Sequence, residues 1–242
     1  MKMSSFFNLP PGVDITSRPK PFHAYVPEDE LRQFHQLLQL SPIGPETWWN
    51  YDSHPNLGIA RDWLTQAKET WLKSFDWRQT ENRINALPNF RSTIELQGQE
   101  HHIHFAALFS AREDAVPIMF LHGWPGCFLE FLPIMELLSS RYSPESLPYH
   151  VVVPSLPDYG FSTREQRDTE MTLEIAAQYL HLLMLQLGFA GGYVVQGGDV
   201  GSGLAEIMAT TFDACKAIHR KSMLFDLSAH FSDTTRDQSL FS

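Results

Sequence analysis

Along the first third of the chain, apolar residues return at intervals of three and four, the spacing of one helix face. Over 28–38 they are Leu31, Phe34, Leu37 and Leu38, preceded by Glu28, Asp29 and Glu30, acids that complement the positive end of a helix. A second helix is predicted over 58–74, where Trp63, Leu64, Ala67, Trp71 and Leu72 share a face. After Pro88 the period falls to two: 92–96 and 101–108 alternate as strands joined by a turn at Gln97-Gly98. Short all-apolar runs then alternate with amphipathic stretches. Strands are predicted at 118–121, 150–153 and 193–196, and helices over 128–138 and 201–212. A further helix runs from a Thr172 cap to Gly188, with Leu173, Ala177, Leu180, Met184 and Leu187 inward. Apolar strands alternating with helices predict an α/β fold, a mostly parallel sheet with helices on both faces. Chemistry on such a sheet gathers at the carboxyl ends of the strands, here the loops 122–127, 154–162 and 197–202.

The amino-terminal region reads differently. Pro10, Pro11, Pro19 and Pro21 favour an extended arm. Residues 1–22 hold no apolar run long enough for a signal peptide or a spanning helix, so a soluble, cytoplasmic protein is expected. Trp48, Trp49, Trp63, Trp71 and Trp77 crowd into the first 80 residues and are expected to anchor that segment on a neighbouring surface. Acidic residues outnumber basic ones 28 to 18, a formal charge of −10 that repels phosphate; neither nucleic acid nor an anionic membrane is expected as a partner. Cys127 and Cys215 cannot make a disulfide scaffold or a zinc cluster, and a reducing compartment is the simpler reading.

Two motifs carry the chemistry. Gln196-Gly197-Gly198-Asp199-Val200-Gly201-Ser202 follows a strand and opens a helix. Small residues two positions before and after Asp199 are what a sharp strand-to-helix turn needs, with its central residue in a strained conformation. Serine is the usual occupant. A carboxylate attacking a saturated carbon leaves an ester that water can cleave, whereas a serine would leave an ether. Asp199 therefore predicts an electrophilic sp3 carbon, as in epoxides or alkyl halides. The competing reading is a glycine-rich turn cradling phosphate, but the dinucleotide spacing and a P-loop lysine are both absent, and Asp199 would repel the anion. The second motif, His122-Gly123-Trp124-Pro125-Gly126, follows the 118–121 strand. Glycines and proline there turn the chain so that the Trp124 N–H, with that of Val200, makes an oxyanion hole.

HGWPG at 122–126, PSLPDYGFS at 154–162 and QGGDVGS at 196–202, in this order, resemble the epoxide hydrolases of the α/β-hydrolase fold. DWRQTENRINALPNF at 76–90 resembles the N-terminal meander of their microsomal-type and fungal branch. The resemblance runs from about Pro21 to His219. It implies a helical meander over 21–90 and an incomplete α/β-hydrolase core over 91–219, and leaves outside it the extended arm over 1–20 and a divergent tail over 220–242. It also implies Asp199 as nucleophile, the Trp124 and Val200 amides as oxyanion hole, a small-molecule epoxide as substrate, and no cofactor or metal. Haloalkane dehalogenases share the Asp elbow but usually follow it with Trp, where this chain has Val200; a dehalogenase-like hydrolase is the alternative.

Other features read as structural. His102 and His104 share a strand face near His101, without a third metal ligand. Cys127 reads as a packing residue, and Asp158 and Tyr159 as turn residues. The residues after Asp199 are too few for two more strands, a helical cap and the loops bearing an acid and a histidine. His219 falls where a strand should run, and His230 near Asp226 or Asp233 is not favoured as a base. A truncated or mis-spliced form is expected, keeping nucleophile and oxyanion hole but losing roughly 10²–10⁴ per step with its acid and base. Turnover should then be negligible, and an unpaired sheet edge would invite a homodimer. A catalytically silent binding protein on the same framework is the non-enzymatic alternative.

Overall fold

The structure, a computed structural model, describes residues 6–11, 13, 18–51, 58–164 and 169–221. They form two compact units, one of Ala24–Arg83 and one of the other described residues.

The smaller unit holds α1 (Glu28–Leu40), a 3₁₀ turn at Trp48–Asn50, α2 (Arg61–Lys73) and most of α3 (Trp77–Asn85). The helices α1 and α2 contact each other, yet neither has a fully buried residue. Trp48, Trp49, Trp63 and Trp71 are exposed, contrary to their expected anchoring role. Two helices are too thin a layer to cover large rings, so these rings meet one another instead: Trp48 against Trp49 at 4.9 Å and Phe34 against Trp71 at 5.3 Å. The unit's polar centre is the buried Glu81, which accepts from Val26 N–H at 2.6 Å and Trp77 Nε1 at 2.8 Å and pairs with Arg78. Although burial pushes its carboxyl up, the Val26 amide, Arg78 and Trp77 hold it below the usual range.

The larger unit is built on one sheet in the order β1 (Lys20–Pro21), β2 (Asn89–Leu96), β3 (Gln99–Leu108), β5 (Tyr149–Pro154), β4 (Val116–Leu121), β7 (Tyr193–Gly198) and β8 (Cys215–Lys221), with β6 (Thr163–Arg164) also pairing β3. Pairing is antiparallel from β1 through β3 to β5 and parallel from β5 through β4 and β7 to β8. The hairpin of β2 and β3 turns at Gln97 and Gly98, both at positive φ, as a two-residue turn matched to strand twist requires. The prolines of the arm fit its place: Pro21 stands on the edge strand β1, where a missing N–H costs no ladder bond.

Three helices complete the unit: α4 (Leu132–Arg141), entered through a 3₁₀ turn at Phe128–Phe131, α5 (Leu173–Gln186) and α6 (Val200–Thr211). The Thr172 hydroxyl caps α5 by accepting from Ile175 N–H. The helices α5 and α6 pack together, and Ala177, Leu180, Leu183, Met184, Leu204 and Met208 join Phe105, Met119, Val152 and Val195 of the sheet in the core. Leu180 lies at the centre of this layer and is fully buried. Leu180→Ala is expected to lower unfolding free energy by about 2–5 kcal/mol, read as a drop in urea midpoint with unchanged m-value.

Candidate active site

The turn between β7 and α6 reverses the chain in one residue. Asp199 stands there at φ 52°, ψ −125°, a conformation that strains any side chain. The glycines make it possible. A Cβ at Gly197 would lie 2.0 Å from the Gly201 carbonyl oxygen, and one at Gly201 would lie 2.4 Å from that of Leu121. The Asp199 carbonyl in turn accepts from Ser202 N–H at 2.9 Å and Ser202 Oγ at 2.6 Å, fastening the first turn of α6.

The end of β4 supplies the opposite wall. Its parallel register sets Leu121 beside Gly197, and the chain continues through His122 and Gly123 toward Asp199. A Cβ at Gly123 would lie 2.5 Å from Asp199 Oδ1, so only glycine admits the carboxylate. Trp124 N–H donates to Asp199 Oδ1 at 2.8 Å, and Val200 N–H donates to the same oxygen at 2.7 Å. These amides, Trp124 first, hold the carboxyl below its usual range, and Asp199 is exposed to solvent. The indole of Trp124, 67% exposed, takes no part; its backbone does the binding. An ionised carboxylate with one oxygen held and the other open to solvent is equipped to bond to an electrophile.

The second predicted loop, 154–162, braces the first, 122–127. Leu156 N–H donates to His122 Nε2 at 3.1 Å, while His122 Nδ1 stands 3.1 Å from the Gly123 carbonyl oxygen. Burial lowers the pKa of His122, which is therefore neutral. The loop is anchored to β3: His104 bridges Ser155 Oγ at 2.9 Å and Asn89 Oδ1 at 3.1 Å, and Ser162 Oγ accepts from His104 N–H at 3.0 Å. Asp158, at φ 66°, meets buried His101 at 3.2 Å and Arg164 at 2.8 Å. Tyr159 lays its ring against that of His122 at 5.4 Å.

Of the set read from the sequence, the Trp124 and Val200 N–H groups both stand within hydrogen-bond distance of Asp199 Oδ1. Asp158 and Tyr159 have the turn positions expected of them. Sequence reasoning missed Leu156, whose contribution is a backbone N–H without any side-chain signature. His219 lies on β8 opposite Gln196. His230, Asp226 and Asp233 lie outside the described residues.

Comparison with known proteins extends this likeness. Residues 19–131 match the model of the epoxide hydrolase N terminus, and residues 116–236 that of the alpha/beta hydrolase fold. The chain belongs to the α/β-hydrolase family. Within it the similarity is to epoxide hydrolases. The Aspergillus niger epoxide hydrolase structure is 44% identical with a TM-score of 0.82, covering 92% of this chain and 56% of that one. Silkworm juvenile hormone epoxide hydrolase is 26% identical with a TM-score of 0.69, covering 85% of this chain and 53% of that one. A Dothistroma septosporum protein assigned to the epoxide hydrolases is 39% identical over 241 residues, 98% of this chain and 56% of the relative. This α/β-hydrolase chain thus spans about half the length of the relatives it matches. No helix among the described residues is long and apolar enough to cross a membrane.

Two outcomes follow from the geometry. Gly201→Ala should destabilise the fold by about 1–3 kcal/mol, the usual cost of overpacking, read as a lowered thermal midpoint. Burial pushes His104 down to about 3 and His150 down to about 4, so both are neutral in the folded chain. A histidine with a depressed folded pKa leaves the unfolded state binding more protons below pH ~6.5. Stability should therefore be full above that pH and fall with acidification from pH ~6.5, before carboxylates titrate; urea midpoints at pH 7.5, 6.5 and 5.5 measure it.

Proposed function

We propose that Asp199 opens small-molecule epoxides through a covalent ester, with the Trp124 and Val200 amides as its oxyanion hole. The observation that carries the reading is the double amide grip on a single oxygen, Oδ1, at 2.8 and 2.7 Å. Oδ2 attacks an epoxide carbon; the C–O bond breaks, and the ring oxygen takes the electron pair and then a proton. The new ester keeps Oδ1 as its carbonyl oxygen. Water adding to Cγ moves negative charge onto Oδ1, where the two N–H groups already point. Collapse releases a vicinal diol and restores the carboxylate.

Water addition calls for a general base, and among the described residues no histidine hydrogen-bonds the Asp199 carboxylate. The ester should therefore accumulate in this chain. Support for the substrate class comes from the 44% identity to the Aspergillus niger epoxide hydrolase. Two free cysteines support a reducing, cytoplasmic setting. The outer edge of β8, to which no described strand pairs, supports association of two copies.

Incubation with an aryl epoxide followed by intact-mass and peptide mapping is expected to show one adduct, on Asp199, absent from Asp199→Asn. An adduct that persists in that variant overturns the reading. Because the amides depress the Asp199 carboxyl, half-loss of adduct formation on acidification should come below the ordinary aspartate pKa of ~3.9. Sustained diol release over many turnovers would overturn the expected accumulation. A monomer by size-exclusion chromatography at all concentrations would overturn the association.

A further inference from the structure

One buried side chain beside the site has no role in the chemistry above. His122 lies one residue before Gly123, is almost wholly buried, and touches neither Asp199 nor solvent. Its two ring nitrogens face different tasks. Leu156 N–H is a donor and nothing else, so the Nε2 it reaches at 3.1 Å holds a lone pair. In a neutral imidazole the proton then belongs to Nδ1, which donates to the Gly123 carbonyl oxygen at 3.1 Å.

That carbonyl is half of the peptide unit whose other half is the Trp124 N–H. A trans peptide is planar, with its C=O and N–H pointing in opposite directions. Fixing the Gly123 oxygen on one side therefore fixes the Trp124 N–H on the other, and that N–H meets Asp199 Oδ1 at 2.8 Å. Gly123 cannot set this orientation by itself. It has no side chain to pack, and its backbone torsions are the least restricted of any residue.

We infer that His122 is the positioning residue of the oxyanion hole, its Nδ1–H tautomer selected by Leu156 and its proton orienting the Gly123–Trp124 peptide toward Asp199. The chain of influence is short and directional. Leu156 N–H selects the tautomer, the tautomer donates to Gly123, and the peptide plane passes that orientation to the N–H on the carboxylate. Leu156 is in turn held by the loop whose neighbour, Ser155, is fixed to His104. Tyr159, whose ring lies against the imidazole, and Glu130, whose charge acts on it, are the groups facing it. Neither supplies a hydrogen bond to either ring nitrogen.

The inference rests on the proposed role of Asp199, and two variants separate it from a merely structural role. In His122→Asn the amide nitrogen can stand where Nδ1 stood, keeping the donor to Gly123 while losing the acceptor for Leu156. In His122→Gln the amide oxygen can stand where Nε2 stood, keeping the loop bond while losing the donor. Outright loss of an oxyanion-hole donor costs about 10²–10³ in rate. After alkylation with an aryl epoxide and removal of the excess, His122→Gln is expected to lengthen the Asp199 ester lifetime ~10-fold or more. His122→Asn should stay within about threefold of the wild type, whatever its thermal midpoint. Equal lifetimes in all three proteins, or a longer lifetime in His122→Asn than in His122→Gln, would overturn the inference.

If the wild type forms no ester, the proposed function fails and the inference is read elsewhere. A ¹³C titration of the Asp199 carboxyl, assigned with Asp199→Asn, should move upward in His122→Gln and stay depressed in His122→Asn. Should neither variant fold, long-range ¹H–¹⁵N spectra of the wild type decide. They must show His122 protonated at Nδ1 and bare at Nε2, and the opposite tautomer defeats the assignment.

Discussion

Two backbone N–H groups converge on one carboxylate oxygen, and most of the larger unit can be understood as what that convergence demands. The Val200 amide arrives because the chain turns from strand to helix at Asp199, and the Trp124 amide arrives because β4 lies parallel to β7 in a fixed register. Neither donor is a side chain, so neither can swing into place on its own. The strain at Asp199, φ 52°, is tolerated because Gly197 and Gly201 admit neighbouring carbonyls at distances no Cβ would allow. The helix α6 then adds the pull of its amino terminus on the same carboxylate.

The surrounding loops form successive layers of constraint. The 154–162 segment is bonded to β3 through His104, Ser155 and Ser162 and presents one amide to His122. Farther out, Asp158 pairs with Arg164 and is hydrogen-bonded to His101. The site is thereby held by buried neutral histidines on one side and a salt bridge on the other. Burial of His104 where water is excluded penalises its charged form, with the Arg91 charge adding to the effect, so the ring stays neutral and keeps one nitrogen able to accept.

Much of this was legible in the chain. Hydrophobic period placed strands and helices of the larger unit to within a few residues, because Val151–Val153 and the inward face of α5 have only one way to be buried. The elbow was legible because glycine, aspartate and glycine at fixed offsets have a steric meaning. Other parts were not, the Leu156 amide among them. The short helix α3 escaped because its sequence, rich in polar residues, lacks the apolar repeat by which helices are recognised. The indoles of the smaller unit were expected to be covered, and Trp48, Trp49, Trp63 and Trp71 are not. Composition says that a ring favours burial and says nothing about whether a surface is there to receive it.

The first donor, Trp124, stands 75 positions before the aspartate it binds. A polypeptide growing from its amino terminus holds the first donor long before residue 199 exists, and has nothing for it to bind. Until β7 zips against β4, the Trp124 amide does not reach the Asp199 carboxylate. The double amide grip is therefore a product of tertiary folding and not of local sequence. A nascent or misfolded copy lacks it, and any damage that shifts one strand by a residue erases it without touching a single functional group.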